Sequence, residues 1–496
     1  MLFPLNLPPG IKRGGTELQS EGHWYDANFV RFVQDTIRPI GGWATFATST
    51  VTGKGRALLS WRDNSGNNWT ACATESHLYA ISQAGVVYDI TPAGFTTGYA
   101  DATSLGGYGI IAYGQGNYGQ AAGTGTSGSY LLSSTDATVW TLDTFGQYLV
   151  GVSPDDGKLY EWTLGTGVVA AAISGAPTSC SSLVVTAERF LMALGAGGVP
   201  RTVQWCDQGV ETTWTPSTTN QAGSYQLVTS GRIMTGKRVL SGTLIFCDTD
   251  VHRATYIGYP LVYGFEKIGT GCGAISRNCV AVHDAVAAWM GPNGFWTYNG
   301  YIQPLESPVQ DYVFSNLNRL QASKVHAVHN SLYNEVWWFY VSNASTEIDK
   351  YVVWNYSENH WSIGSLSRLA GCDYGSIKAP LMVDASGQTY YHETGFIYDG
   401  TLPYLESGPF QLGDGTANFN ALELWPDDKT VGDVTATFTL KARPDSAPNV
   451  AGPYTLSEKT DIRFSGRQAR VKYTATANDD WRVGIPRLML QPAGKR

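Results

Sequence analysis

The stretch Gly55-Arg-Ala-Leu-Leu-Ser-Trp-Arg-Asp-Asn-Ser-Gly-Asn-Asn-Trp-Thr-Ala-Cys-Ala-Thr-Glu-Ser-His-Leu-Tyr-Ala-Ile-Ser-Gln-Ala-Gly-Val-Val-Tyr-Asp-Ile90 decides the fold. It holds four short runs rich in β-branched, aromatic and small apolar residues. Turn chemistry separates them: Asp63 to Gly66, Thr74 to Ser76, and Gln83 to Gly85. Asp, Asn, Ser and Gly are the residues that tight strand connections require. Four strands in under 40 residues have the size and content of one propeller blade.

The layout repeats imperfectly along the chain. Phe145 to Val150 turns at Asp155-Asp-Gly157 into Lys158 to Trp162, and Ser182 to Thr186 turns at Ala187 to Arg189 into Phe190 to Leu194. Arg201 to Trp205 leads to Thr213-Trp-Thr215, and Val239 to Phe246 precedes His252 to Tyr256. Val280 to Tyr298 and Val325 to Ile363 make two further sets. A half-unit, Pro380 to Val383 and Gln388 to Tyr391, lacks outer strands. The N-terminal hairpin, Asn28 to Val33 with Thr36 to Ile40, is expected to supply them and so remove an exposed sheet edge. The expected architecture is all-β: a six- or seven-bladed β-propeller over 21–400 after an N-terminal arm over 1–20. A small C-terminal antiparallel β-sandwich follows over 401–496, where strands such as Ala436 to Arg443 and Arg470 to Thr476 alternate more cleanly. Several separate sandwiches are the competing arrangement.

Composition supports this class. Of 496 residues, 57 are glycine, where an average chain would have about 35, and only 15 % are charged. Sixteen tryptophans and 28 tyrosines supply a large core, which argues against general disorder. The 33 basic and 41 acidic residues leave a net charge of −8, carried by the first 400 residues at −9 against +1 for the remainder. That sign does not suit a protein that binds by gripping phosphates. The seven cysteines, Cys72, Cys180, Cys206, Cys247, Cys272, Cys279 and Cys372, are odd in number and contain no C-x-x-C pair. They read as free, mostly buried thiols of a reducing compartment. The proline-containing N-terminus does not read as a secretory signal, and no apolar run reaches the length of a membrane span.

Motifs for chemistry are sparse. Ser153-Pro-Asp155-Asp-Gly157 approaches a sialidase-type turn but has Leu159 and Tyr160 where Thr and Trp belong, and no carboxylate pair stands out for a glycan hydrolase. His326 and His329 are spaced to point to opposite faces of a strand, with no third ligand nearby, so no metal is expected. Gly114 to Gly119 has dinucleotide-type glycine spacing without a following helix; no cofactor and no catalytic residue are expected. Two features invite a functional reading. One is the Gly/Tyr-rich stretch 106–130, whose Tyr108, Tyr113, Tyr118 and Tyr130 set it apart from a plain linker, as a channel or assembly loop. The other is the basic group Arg463, Arg467, Arg470, Lys472, Arg482 and Arg487, as an interface to an acidic neighbour or nucleic acid.

Glu17 to Trp43, with Trp24-Tyr-Asp-Ala-Asn28, Val30-Arg-Phe32 and Ile37-Arg-Pro-Ile-Gly-Gly-Trp43, resembles the opening of tailed-phage tail proteins. The whole chain resembles the tail nozzle, or packaged-DNA-stabilisation, proteins of short-tailed phages (podoviruses), through its propeller body and a C-terminal strand pair like Phe464 to Val471 and Trp481 to Gly484. The resemblance implies a non-enzymatic virion protein: a homo-hexameric nozzle ring below the portal and tail adaptor, assembled in the bacterial host cytoplasm. Such a ring would contact tail needle, plug or tailspike proteins, retain packaged DNA and touch it transiently and non-specifically during ejection. An acidic lumen would keep DNA from sticking. The alternative is a receptor-binding or glycan-binding, lectin-like propeller at the tail.

Overall fold

The computed structural model describes residues 2–105, 133–413, 415–427, 434–443 and 446–494. Among them, seven four-stranded antiparallel sheets form a β-propeller. Six are continuous in sequence, over 57–89, 141–172, 182–226, 233–270, 280–305 and 326–365, and are blades 1 to 6. The innermost strands are Ala57–Arg62, Thr141–Phe145, Ser182–Val185, Ile233–Val239, Val280–His283, His326–Asn330 and, in blade 7, Ala370–Cys372. Each neighbours the next around a ring, and the last packs against the first. The ring is therefore closed with seven blades.

Blade 7 combines Ala370–Cys372, Leu381–Val383 and Thr389–His392 with an outer strand from the N-terminal region. That strand is Trp43–Thr45, in register Tyr391↔Ala44 and His392↔Trp43. The expected donor, the preceding hairpin, instead forms its own two-stranded sheet, Val30–Val33 with Thr36–Pro39. Gly41 and Gly42 explain the shift. A Cβ at either would lie 2.4 Å from the backbone of Glu393 or Ile397, so glycine here lets the chain approach blade 7 closely.

Large indoles fill the spaces between blades, and several tie neighbours together. Trp140 Nε1 donates to Thr74 O at 2.8 Å, Trp289 Nε1 to Cys272 O at 2.8 Å and Trp338 Nε1 to Cys279 O at 3.0 Å. Each of these three rings is fully buried, so its N–H needs such a partner. All seven cysteines are free, six of them buried.

The sandwich extends beyond residues 401–496. One sheet runs Leu2–Pro4, Arg487–Pro492, Phe419–Trp425, Thr460–Gly466; the other runs Trp24–Asn28, Tyr404–Ser407, Gln468–Ala475, Val434–Lys441, Asn449–Thr455, with Phe410–Gln411 beside it. The N-terminal segment is thus a strand donor to both sheets. Strict alternation in Val434–Lys441 sends Val434, Ala436, Phe438 and Leu440 inward, toward Phe419, Ile462 and Leu488 of the facing sheet. One apolar cluster runs from Trp289 and Trp361 of the propeller through Leu5, Ile11 and Trp24 to Phe438 and Val471.

Candidate functional site: the two mouths of the propeller bore

Because every innermost strand is the first of its blade along the main body, all seven run the same way along the axis. The residues that precede them gather at one mouth, called leading, and those that follow gather at the trailing mouth.

The leading mouth is spanned by polar side chains. Asn278, just before blade 5, donates from Nδ2 to Arg56 O and Trp140 O, both at 3.2 Å. Those carbonyls introduce blades 1 and 2, which stand opposite blade 5 in a sevenfold ring. Arg277 Nε donates to Ser181 O before blade 3 at 3.0 Å. Burial, aided by Arg232, pulls the Arg277 guanidinium down to about 10, so it stays charged at neutral pH. Beside this bridge, Arg56 makes a bidentate pair with Glu347, 2.7 Å at each nitrogen, and Lys324 Nζ lies 2.5 Å from Asp101 Oδ1.

A two-stranded sheet lies at the same mouth. The connection from blade 1 to blade 2 pairs Thr103–Leu105 with Ser133–Thr135. Its base is fixed on the segment before blade 6: Ala102 N donates to Gln321 Oε1 at 3.1 Å, Gln321 Nε2 returns a bond to Ala102 O at 2.8 Å, and Ala137 N donates to Ser323 Oγ at 3.2 Å. Arg232 Nη2 holds Asp136 at 2.8 Å from the blade 4 side. Tyr108, Tyr113, Tyr118 and Tyr130 lie outside the described residues. The strands that bracket their stretch belong to this mouth.

The trailing mouth is built differently. His329 Nδ1 lies 3.1 Å from Asp373 Oδ2, and its Nε2 lies 3.1 Å from the Tyr356 hydroxyl. His283 stacks on Tyr356 with centroids 4.0 Å apart and planes 12° off parallel. Burial and the neighbouring His329 push His283 down to about 4. Burial opposes ionisation of Asp373, but hydrogen bonds from His329, Ser331 and the Tyr374 backbone outweigh it and hold the carboxyl below its usual range. The chain Asp373–His329–Tyr356 is half-buried. Its chemistry suits holding a proton or orienting a polar ligand.

The two histidines noted in the sequence have different surroundings. His329 joins the trailing chain, whereas His326 is buried and stacks on Phe339 at 5.0 Å with neither ring nitrogen hydrogen-bonded among the described residues. The six basic residues do not form one patch. Arg470 pairs with Glu406 at 2.8 Å and lies over Tyr25, and Lys472 lies over Tyr404, all on one sheet of the sandwich. Arg463 and Arg487 are exposed on the other sheet, Arg467 sits between Thr460–Gly466 and Gln468–Ala475, and Arg482 pairs with Asp480 at 3.2 Å. The turn 153–157 is closed by Gly157 N donating to Ser153 O at 2.8 Å. The leading bridge escaped sequence reading because its only signal is position: Arg56, Arg277 and Asn278 stand just before innermost strands.

No family model and no curated protein sequence matches the chain. Among solved structures it is similar to virginiamycin B lyase from Staphylococcus aureus (7 % identity, TM-score 0.43, covering 69 % of this chain and 97 % of that one). It is also similar to a streptogramin B lyase (8 %, 0.41, 70 % and 96 %) and to the Pan2 WD40 domain of Neurospora crassa (8 %, 0.41, 72 % and 97 %). Among the described residues no helix is long and apolar enough to cross a membrane.

Proposed function

We propose that the chain is a structural subunit of a phage tail, a nozzle protein whose hexameric ring continues the portal and adaptor channel. In this reading the DNA lumen is formed between subunits. The observation that carries it is the leading mouth: Asn278 and Arg277 tie blades 5, 1, 2 and 3 together across the axis, which makes the propeller a solid wedge and not a conduit. A rigid wedge joined to a sandwich through one core suits a ring that holds packaged DNA under load. Blade 4 adds apolar tips for packing against a neighbour. Leu240 is 88 % exposed, and Tyr259 and Leu261 are each 69 % exposed, on two turns that face the trailing side.

The test is native mass spectrometry and electron microscopy of the full chain, alone and with portal–adaptor particles. Sixfold rings that cap the adaptor are expected, and Leu240→Ser with Leu261→Ser should release monomers of unchanged circular dichroism. A chain that stays monomeric and ignores the adaptor would overturn the reading. A ligand-binding propeller is the rival, favoured by the half-buried Asp373–His329–Tyr356 chain. It requires glycan binding that Tyr356→Phe weakens.

A further inference from the structure

The turn between the second and third strands of blade 4 reads Cys247-Asp-Thr-Asp250-Val-His252. Gly242–Cys247 ends on the thiol, and Asp250–Gly258 begins with a carboxylate and an imidazole two positions apart, hence on one face of the strand. The thiol, carboxylate and imidazole donor atoms lie within 4.8 Å of one another, and all three side chains are buried.

The partners of Asp250 leave a gap. Its Oδ2 takes Lys267 Nζ at 2.8 Å, and its Oδ1 accepts from Thr229 Oγ1 at 2.9 Å. His252 Nε2 stands 3.3 Å from Oδ1, yet it has no hydrogen-bond partner among the described residues. A buried nitrogen left unpaired against a carboxylate oxygen is destabilising unless something bridges the two. A cation between them would bridge them.

We infer that Cys247 Sγ, Asp250 Oδ1 and His252 Nε2 form a structural site for a divalent transition metal of the zinc class. Mixed sulfur, nitrogen and oxygen donors suit Zn(II) or Co(II), whereas Mg(II) and Ca(II) prefer all-oxygen cages. Three protein donors leave a fourth tetrahedral position for water or the Thr229 hydroxyl. Lys267 keeps its place on Oδ2 and orients the carboxylate from outside the coordination sphere. Binding releases the Cys247 proton to solvent, because the thiolate and not the thiol is the metal ligand. No electron transfer is involved. The bound ion would fasten the blade 4 turn beside the segment from Thr229 to Arg232, whose arginine holds Asp136 at the leading mouth.

The experiment is titration of the chelator-treated full chain with Co(II), then with Zn(II). One equivalent of Co(II) should bind with tetrahedral visible bands and a thiolate-to-cobalt charge-transfer band, with one proton released. Zn(II) should displace it and raise the Tm. Cys247→Ser should abolish the charge-transfer band, and His252→Gln should weaken uptake by at least about tenfold. A wild-type titration without the charge-transfer band would overturn the inference, as would a Cys247→Ser protein with an unchanged spectrum. The wild-type spectrum decides the matter even if a variant fails to fold.

Discussion

The two mouths of the bore use polar side chains to different ends. At the leading mouth, Arg56, Arg277, Asn278 and Lys324 are spent on partners across the axis and across the closing seam, and the opening is bridged. At the trailing mouth, His283, His329, Tyr356 and Asp373 form a local chain that stays half-open to solvent. Charge alone therefore does not locate function in this molecule. What distinguishes the mouths is whether the polar groups bond across the ring or to near neighbours. The seam between the last blades and the first shows the same contrast in its two arginine clamps. On the trailing side, Arg31 of the N-terminal hairpin holds Glu335 of blade 6 and Glu393 after blade 7, with all three side chains no more than 6 % exposed. On the leading side, Arg56 holds Glu347, which is 22 % exposed and also near Lys324.

The largest expected effect comes from breaking the dry clamp. Arg31 carries a pKa well above its usual value because Glu335 and Glu393 outweigh the burial that would lower it. Arg31→Met leaves two buried carboxylates without a cation and should cost about 3–5 kcal/mol in urea unfolding. Adding Glu335→Gln and Glu393→Gln to it should recover part of that loss. Arg56→Met should cost less, because water and Lys324 still reach Glu347. Equal losses in the two single variants would show that dryness does not set the difference.

A smaller effect tests the leading bridge. Asn278→Ala removes two hydrogen bonds to carbonyls on opposite blades and should destabilise by about 1–3 kcal/mol. Hydrogen exchange should quicken at Arg56 and Trp140, the two residues it ties. Exchange confined to blade 5 would mean that the bridge does not couple the ring.

The blades were legible wherever turn residues stood between apolar runs, as at Asp63 to Gly66 and at Arg189, which adopts a left-handed φ of 66°. They were illegible where the outer strand carries no pattern. Gly223–Gln226 closes blade 3 with half-buried and exposed side chains, so no alternation marks it. Thr213 to Thr215 read as a strand, yet Trp214 packs from a loop, its indole donating to Glu211 O at 2.5 Å. Val262–Thr270 was missed because its Gly, Glu and Lys break the apolar alternation. Residues 1–20 read as an N-terminal arm. Leu2–Pro4 is instead an edge strand, where a proline costs no ladder hydrogen bond. Both mouths were invisible because they join residues from up to four blades, and no spacing within one blade encodes them.

The mildest test concerns the two buried histidines, one near each mouth. Burial pulls His326 down to about 3 and His283 to about 4, below the unfolded value near 6.5. Below about pH 6.5 the unfolded chain takes up protons that the folded rings refuse. Their contribution is thus fully present above that pH and is lost as pH falls toward 4 for His283 and toward 3 for His326. His326→Phe keeps the stack on Phe339 while deleting two buried nitrogens that make no hydrogen bond. It should be neutral or stabilise by up to about 1 kcal/mol at pH 7, and its urea midpoint should fall less steeply than wild type between pH 6 and 4. His283→Phe should flatten the same curve over the narrower window that ends near pH 4. If His326→Phe keeps the full wild-type slope, the acid sensitivity belongs to carboxylates held below their usual range, such as Asp101 under Lys324. Their share is lost lower, as pH falls past the unfolded carboxylate value near 4, so the pH at which the two curves part assigns the loss to one kind of group or the other.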